Sequence, residues 1–298
     1  MLLQKLEQNK LLHPPSWLSD NCQYLTIMGS LAYATNVDTS DFDVYGFTIP
    51  RKEDVFPHQL QGRIDGFGKQ IQRFDQYIEH GVYDKDAQGG AGRTYDFTIY
   101  NIVRYFHLLL TCNPNAIDSI FTPADCVLHC TSIGSLVRDN RKLFLNKAII
   151  PQLKGYAFAQ LHKAGSQTKE GKRKEDVEKW GWDRKHLMHV VRLTLEAQDI
   201  LQNGDLDLRT HCEHLKTIRR GEISLEEVRK WFTEKEIYLD KLYQESKLPW
   251  GPDEPKVKQL LLNALEIHYG SLDKVITLPD AAEQTLREVK ELIEKRGF

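Results

Sequence analysis

The chain has few cysteines, no long apolar run and almost no net charge, and each shortage excludes a class of protein. Its 298 residues include five cysteines, an odd and sparse set that argues against a disulfide framework and favours a reducing compartment. No apolar run approaches the ~20 residues of a membrane span. The formal net charge of −2 does not indicate a general nucleic-acid binder. Hydrophobic residues at 41% and charged residues at 28% are typical of a globular protein.

The N-terminal segment does not have the pattern of a signal peptide. Lys5, Glu7 and Lys10 lie among its leucines, so it has no continuous apolar centre. We therefore expect a cytoplasmic protein with no membrane partner. The length suffices for two domains, and we expect the first over residues 1–130 and the second over 131–298.

Two apolar runs and the polar residues between them are the most informative part of the chain. The first run predicts a buried strand that ends at Gly29 and Ser30, and the second begins directly after Asp41 and Asp43. Residues two apart on a strand point the same way and lie ~6.6 Å apart, so the two carboxylates face one point. Like charges this close repel unless a cation lies between them, and hard oxygen ligands suit Mg²⁺. The pattern predicts a magnesium site.

The corner after the first predicted strand is expected to bind phosphate beside this magnesium site. We expect Gly29 and Ser30 to open a short helix whose free N–H groups hold a phosphate. A phosphate-binding turn beside paired carboxylates is the combination used for phosphoryl or nucleotidyl transfer.

These residues resemble the signature of the DNA polymerase β nucleotidyltransferase superfamily. Gly29-Ser30, the spacer and Ser40-Asp41-Phe42-Asp43 are similar to its bacterial and phage branch, which includes an RNA-ligase-associated type. Ala34 stands where that branch usually has a second glycine. The resemblance implies an α+β fold, with a small twisted mixed β-sheet flanked by helices in the N-terminal nucleotidyltransferase domain. An all-helical C-terminal domain would close the cleft.

The resemblance also implies a third carboxylate and the metal ions. Asp96 begins an apolar run of β character, as the third carboxylate of the superfamily does. Two Mg²⁺ ions, for which Mn²⁺ can substitute, need more than two carboxylates. Asp75, Asp84 and Asp86 are alternatives for this role, but they lie in a segment without periodicity.

From residue 131 onward, apolar residues recur at helical spacing, except in one stretch. The predicted helices are 131–146, 149–164, 183–203, 224–246, 253–270 and 279–296.

Two segments lack periodicity. Residues 51–93 are expected to form an insertion or irregular strands, and residues 163–185 are expected to form a mobile loop. That loop is rich in Lys and Arg; it is either simply solvated or a basic lip for a polyanionic substrate.

The predicted helix over residues 183–203 carries a polar stripe. Lys185, His189, Arg192 and Glu196 fall on one side, opposite the apolar residues, so we expect the stripe to face away from the core. The same branch shows a comparable run of Lys, His and Arg. By that resemblance Lys185, His189 and Arg192 bind the nucleotide triphosphate.

The function implied is transfer of a nucleoside monophosphate from an NTP to an acceptor hydroxyl. Asp41 and Asp43 would bind both metals, Asp96 would hold the catalytic metal and orient or deprotonate the hydroxyl, and Ser30 would contact the terminal phosphates. Gly29 would make room for the nucleotide. An RNA end is the expected acceptor. A protein hydroxyl, as in AMPylation, and a nucleotide-sensing pseudo-enzyme remain open.

Overall fold

The computed structural model describes residues 1–36, 41–52, 63–64, 68–69, 74–166 and 172–270. Ser40 and the predicted helix over 279–296 lie outside these ranges. The described residues form an α+β fold with a mixed five-stranded sheet and ten α-helices, which confirms the predicted fold class. No helix among them is long and apolar enough to span a membrane.

The strands and helices have the following bounds. The strands are β1 (Cys22–Ile27), β2 (Phe42–Thr48), β3 (Arg63–Ile64), β4 (Gly68–Lys69), β5 (Gln76–Asp84), β6 (Arg93–Asn101) and β7 (Val127–Cys130). The helices are α1 (Leu2–Gln8), α2 (Ile102–Leu110), α3 (Pro114–Phe121), α4 (Ser132–Asp139), α5 (Ile149–Ala164), α6 (Lys172–Trp180), α7 (Arg184–Asn203), α8 (Cys212–Arg220), α9 (Leu225–Glu245) and α10 (Glu254–Tyr269). Short 3₁₀ segments cover Ala87–Gly90, Ala124–Cys126 and Arg141–Phe144.

The main sheet has the order β5-β6-β2-β1-β7, and β3 and β4 form a separate pair. Strands β2 and β6 run parallel, and the other neighbours in the main sheet are antiparallel. In the parallel pair Asp43 lies opposite Asp96, and Tyr45 lies opposite Thr98. Side chains alternate between the two faces of a sheet, so these four side chains share one face, which we call the polar face.

The opposite face of the sheet is covered by the N-terminal segment. Leu3 and Leu6 of α1 pack there against Val44, Phe97 and Ile99, all of them buried. A second, larger core starts on the polar face, beyond the aspartates, and continues through the helices as far as α10. This core extends through both predicted domains, and the boundary near residue 130 stays a prediction.

Helix α7 is the centre of the helical half and is buried on nearly all sides. It packs against α5, α8 and α9. The expectation that its polar stripe faces away from the core is wrong for Arg192 and Glu196, which are only 7% and 5% exposed. The 100° periodicity identifies two faces of a helix, but it cannot show that neighbouring elements cover both of them.

Both segments without periodicity contain regular secondary structure. The loop predicted over 163–185 includes α6, and the polar region predicted over 51–93 includes β5. Strand β5 is an edge strand in which Ile78 and Tyr83 are exposed whereas Asp84 is buried, so the apolar alternation by which strands are recognised is broken.

Ala34 adopts a backbone conformation that favours glycine. Its φ is +52°, in the left-handed region, at the position where the resembling branch usually has glycine. We expect Ala34→Gly to stabilise the fold by about 1 kcal/mol, because it relieves the contact of Cβ with the backbone. Urea unfolding measures the change. Ala91→Gly is the control, because φ of Ala91 is −73° and glycine should not stabilise the fold there. Equal changes in the free energy of unfolding for the two variants would show that the backbone at Ala34 is not strained.

Candidate active site

Gly29 lies directly against the carboxylate of Asp43. Its φ is +66°, and a Cβ on this residue would lie 2.2 Å from Oδ2 of Asp43. The backbone N–H of Met28 donates a hydrogen bond of 2.6 Å to the carbonyl of Asp43, which fixes the end of β1 against the start of β2. Glycine is therefore required here for the close approach as well as for the positive φ.

The residues after Gly29 form a hydrogen-bonded turn and not the short helix that the sequence predicts. The N–H of Tyr33 donates to the carbonyl of Gly29 at 3.3 Å, and the N–H of Thr35 donates to that of Ser30 at 2.8 Å. The left-handed Gly29 and Ala34 prevent a continuous helix. The turn places Ser30 at the wall of a cavity of about 570 Å³.

The three aspartates singled out in the sequence all line this cavity. Asp43 and Asp96 are direct neighbours across the parallel pair, and Asp41 lies just before β2 with an exposed side chain. One oxygen of Asp96 accepts a 2.7 Å hydrogen bond from the N–H of Gly81 and lies 3.6 Å from Nδ1 of His80. The alternatives Asp75, Asp84 and Asp86 are not among the described residues that line it.

The charge at this point of the sheet is predominantly negative. Burial, together with the charges of Asp96 and Asp41, raises the pKa of Asp43, against the opposing effect of Lys185. Among the residues that the structure describes, no three His, Cys, Asp or Glu side chains are grouped as a ready metal site. A cation shared by the three aspartates must either displace Gly81 and His80 from this oxygen of Asp96 or bind the other carboxylate oxygen of Asp96.

The opposite wall of the cavity is formed by helices of the C-terminal half. Lys185 and His189 reach it from α7. Burial lowers the pKa of His189 well below its usual range, and the charges of Arg192 and Lys185 add to this effect, so the imidazole is neutral. Its buried Nδ1 has no hydrogen-bond partner within the described ranges.

Arg192 also borders the cavity, but its guanidinium belongs to a buried network. It donates to Asp118 at 2.5 Å and to Glu196 at 2.7 Å, and it lies 4.3 Å above the ring of Tyr33. The hydroxyl of Tyr33 donates to Asp118 at 2.6 Å. Burial and the charge of Asp118 raise the pKa of Glu196 despite Arg192. The network connects the turn after β1 to α3 and α7.

Comparison with known proteins identifies the family. A model of the RNA repair pathway DNA polymerase β family matches residues 3–260. The chain belongs to this family. The match covers most of the chain, confirms the resemblance seen in the sequence, and makes the protein a polymerase-β-like nucleotidyltransferase. Curated proteins yield no sequence match.

One solved structure is similar to this family member only at a distance. It is a nucleotidyltransferase-like protein from Exiguobacterium sibiricum 255-15, with 9% identity and a TM-score of 0.28. The similarity covers 90% of this chain and 79% of that one.

Arg219, at the end of α8, is a cavity residue that the sequence did not predict. Burial lowers its pKa, and the neighbouring Arg184 adds to this effect against Asp176. No carboxylate is recorded as its ion-pair partner in the described part of the chain, whereas Arg184 pairs with Asp176 at 2.5 Å. In the sequence Arg219 lies beside a helix-ending glycine, Gly221, so its pattern indicates a helix terminus and gives no sign of a binding role.

The Arg192 network gives a stability prediction that separates it from Lys185. Arg192→Ala leaves buried carboxylates without their cation, and we expect a loss of about 3–5 kcal/mol in the free energy of unfolding. Lys185→Ala on the same helix removes an exposed ammonium and should change it by less than about 0.5 kcal/mol. Chemical denaturation measures both. Equal, small effects would show that Arg192 is not a structural cation.

Proposed function

We propose that this chain transfers a nucleoside monophosphate from an NTP to a hydroxyl at an RNA end and releases pyrophosphate. The observation that carries the proposal is the pairing of Asp43 with Asp96 on neighbouring parallel strands, beside the Gly29–Ser30 turn. Lys185 and Arg219 face this pair across one cavity. Carboxylates on one wall suit a metal-bound triphosphate when the other wall offers cations that have no ion-pair partner within the described residues.

The carboxylates fit a divalent metal. Asp41, Asp43 and Asp96 offer hard oxygen donors. Burial, with the charges of Asp96 and Asp41 added to it, raises the pKa of Asp43, and a bound cation would relieve this penalty on the ionised form. These three residues would hold Mg²⁺, as two ions, with Mn²⁺ as a substitute. When bound, Mg²⁺ supplies charge neutralisation for the phosphates and for the attacking oxygen.

The triphosphate binds between the turn and the helical wall in this proposal. Ser30 and the N–H groups of its turn contact the terminal phosphates, and Lys185 and Arg219 supply positive charge from the other side. Lysine acts as a mobile point charge and arginine as a fixed fork for oxygens. Neutral His189 offers a hydrogen bond to the nucleotide. Arg192 acts as a positioning residue that holds the turn through Tyr33, which replaces the direct phosphate contact expected from the sequence.

The chemical step is an in-line substitution at phosphorus. The acceptor oxygen forms a bond to the α-phosphorus as the bond from this phosphorus to the pyrophosphate oxygen breaks. The hydroxyl proton passes to the carboxylate of Asp96, and His80, 3.6 Å away, can take it on to solvent. Positioning and charge neutralisation supply most of the acceleration, so no covalent nucleophile is needed.

The RNA acceptor is supported by the description of the family as part of an RNA repair pathway. The direct test is incubation with Mg²⁺, each labelled NTP, and single-stranded RNA carrying either a free or a blocked 3′-hydroxyl. Label on the free-ended RNA only is the expected result. Label on the protein alone would favour nucleotidylation of protein, and no transfer with binding of NTP would favour a nucleotide sensor.

Asp43→Asn should abolish transfer and stabilise the metal-free protein. The folded state raises the pKa of Asp43, so the folded protein loses stability as the pH rises through that pKa and the carboxyl ionises. The amide of the Asp43→Asn variant does not ionise, so the variant does not lose this stability. We therefore expect a higher Tm for the variant at pH 7 without metal. Mg²⁺ should raise the Tm of the natural protein and not that of the variant. Full transfer by Asp43→Asn would refute the metal assignment.

Lys185→Ala and Arg219→Ala should each weaken NTP binding. The loss of a charge-assisted contact raises the KM for NTP by roughly tenfold to a hundredfold. Arg220→Ala is the matched control, because this neighbour of Arg219 is exposed and paired with Glu222. Pyrophosphate release at varied NTP concentration gives the three values. An unchanged KM in Arg219→Ala, or an equal rise in Arg220→Ala, would remove Arg219 from the site.

A further inference from the structure

Three tyrosines are grouped beyond the paired aspartates, at the polar face of the sheet, and are not used by the proposed chemistry. Tyr45 follows Asp43 by two residues on β2 and lines the same cavity. Tyr100 lies on the same face of β6, with its ring centroid 6.3 Å from that of Tyr45 at an interplanar angle of 54°. Tyr156 approaches both from α5 and is 42% exposed. We call these three residues the tyrosine patch.

The rings of the patch are partly accessible. Burial, with the neighbouring phenol of Tyr45, raises the pKa of Tyr100 to about 12. The hydroxyl of Tyr100 therefore carries no charge at neutral pH and does not repel a phosphate chain. Partly exposed tyrosine rings beside a reaction centre offer stacking surfaces for bases.

The order of the strands determines which substrate reaches the patch. The Gly29–Ser30 turn follows β1, on one side of β2, whereas β6 and β5 with Asp96 and His80 lie on the other side. In-line substitution requires the attacking and leaving oxygens on opposite sides of the phosphorus. If pyrophosphate leaves on the side of the turn, the acceptor hydroxyl approaches over β6 and β5.

The surface beyond Asp96 on that side has the composition of a nucleic-acid binding surface. Asp96 and Tyr100 are four residues apart on one strand, ~13 Å, so the rings reach bases that precede the reacting end. Arg104, on the first turns of α2, lies close enough to Tyr100 to oppose the rise of its pKa. Within the described residues, Arg104 forms no ion pair with a carboxylate. Stacking rings with a free cation suit a single strand with its phosphates.

We propose that the tyrosine patch, together with Arg104, binds the single-stranded end of the acceptor RNA. The inference rests on the proposed function, because the position of the leaving pyrophosphate follows from it. It adds an adjoining binding surface, formed by the sheet and α5, to the nucleotide site formed by the turn, α7 and α8. The contact is to base faces and phosphates, so it is tolerant of sequence.

The test measures RNA binding directly, without transfer. The affinity of a fluorescent single-stranded RNA is measured by anisotropy, with no NTP, for the natural protein, Tyr156→Ala and Tyr156→Phe. Loss of one stacked base should raise the Kd roughly tenfold in Tyr156→Ala, whereas Tyr156→Phe keeps the ring and should stay close to the natural value. Tyr156 is exposed, so its replacement leaves the core intact.

The control lies on the same helix. Phe158 is 65% exposed and is two residues, about 200°, away from Tyr156 around α5. Phe158→Ala should leave the Kd unchanged, and Arg104→Ala should raise it and reduce its salt dependence. An unchanged Kd in Tyr156→Ala, or an equal rise in Phe158→Ala, would overturn the proposal.

Two further readouts separate this proposal from the function on which it depends. A higher KM for NTP in Tyr156→Ala with an unchanged Kd for RNA would place the nucleotide base on the patch and overturn the inference, while transfer itself stands. Asp43→Asn should bind the RNA as the natural protein does. Transfer to RNA that survives in Asp43→Asn would instead refute the proposed catalytic site, whatever the tyrosines do.

Discussion

The parallel pairing of β2 with β6 is the constraint on which the rest of the site depends. It places Asp43 directly beside Asp96, and two carboxylates at adjacent positions repel each other. The surrounding structure reduces this repulsion only in part. The N–H of Gly81 and the ring of His80 face Asp96, and Lys185 faces Asp43 from the helical half. The remaining negative charge is what a divalent cation would neutralise.

A second constraint is the position of the turn after β1 relative to α7. The buried network of Tyr33, Asp118, Arg192 and Glu196 links the two through short hydrogen bonds. Burying charges is costly, and an apolar set of similar volume is often at least as stable. We infer that the network is useful because it fixes geometry: it sets the distance between Ser30 on the turn and Lys185 on the helix, the two sides of the proposed triphosphate site.

Much of the site could be predicted because it follows from local patterns. Two strands and the directions of their side chains follow from patterns only a few residues long. The first is an apolar run followed by Gly29-Ser30, and the second is Asp41 and Asp43 before another apolar run. Asp96 could be selected because it stands at the entrance to a run of β character, where the resemblance implies the third carboxylate. The register that brings it beside Asp43 could not, because pairing between strands some fifty residues apart leaves no trace in a single sequence.

The contributions of the helical half were harder to predict. Periodicity placed Arg192 on a polar stripe of α7, but burial depends on what packs against that stripe, here the turn and α3. Arg219 has the appearance of an ordinary basic residue at a helix end, and only the packing of α8 against α7 brings it to the cavity. Helix α6 lies in a segment predicted as a loop, and edge strand β5 lies in one predicted as an insertion or irregular strands, because neither segment shows a clear apolar period.

Anomalous diffraction from crystals grown with Mn²⁺ and a non-hydrolysable NTP analogue tests the central claim most directly. The account predicts an anomalous peak between the carboxylates of Asp41 and Asp43, in contact with a phosphate oxygen, and a second position shared with Asp96. The triphosphate should lie between Ser30 and Lys185. An analogue bound in the cavity with no metal on these aspartates, or a metal bound elsewhere in the chain, would contradict it.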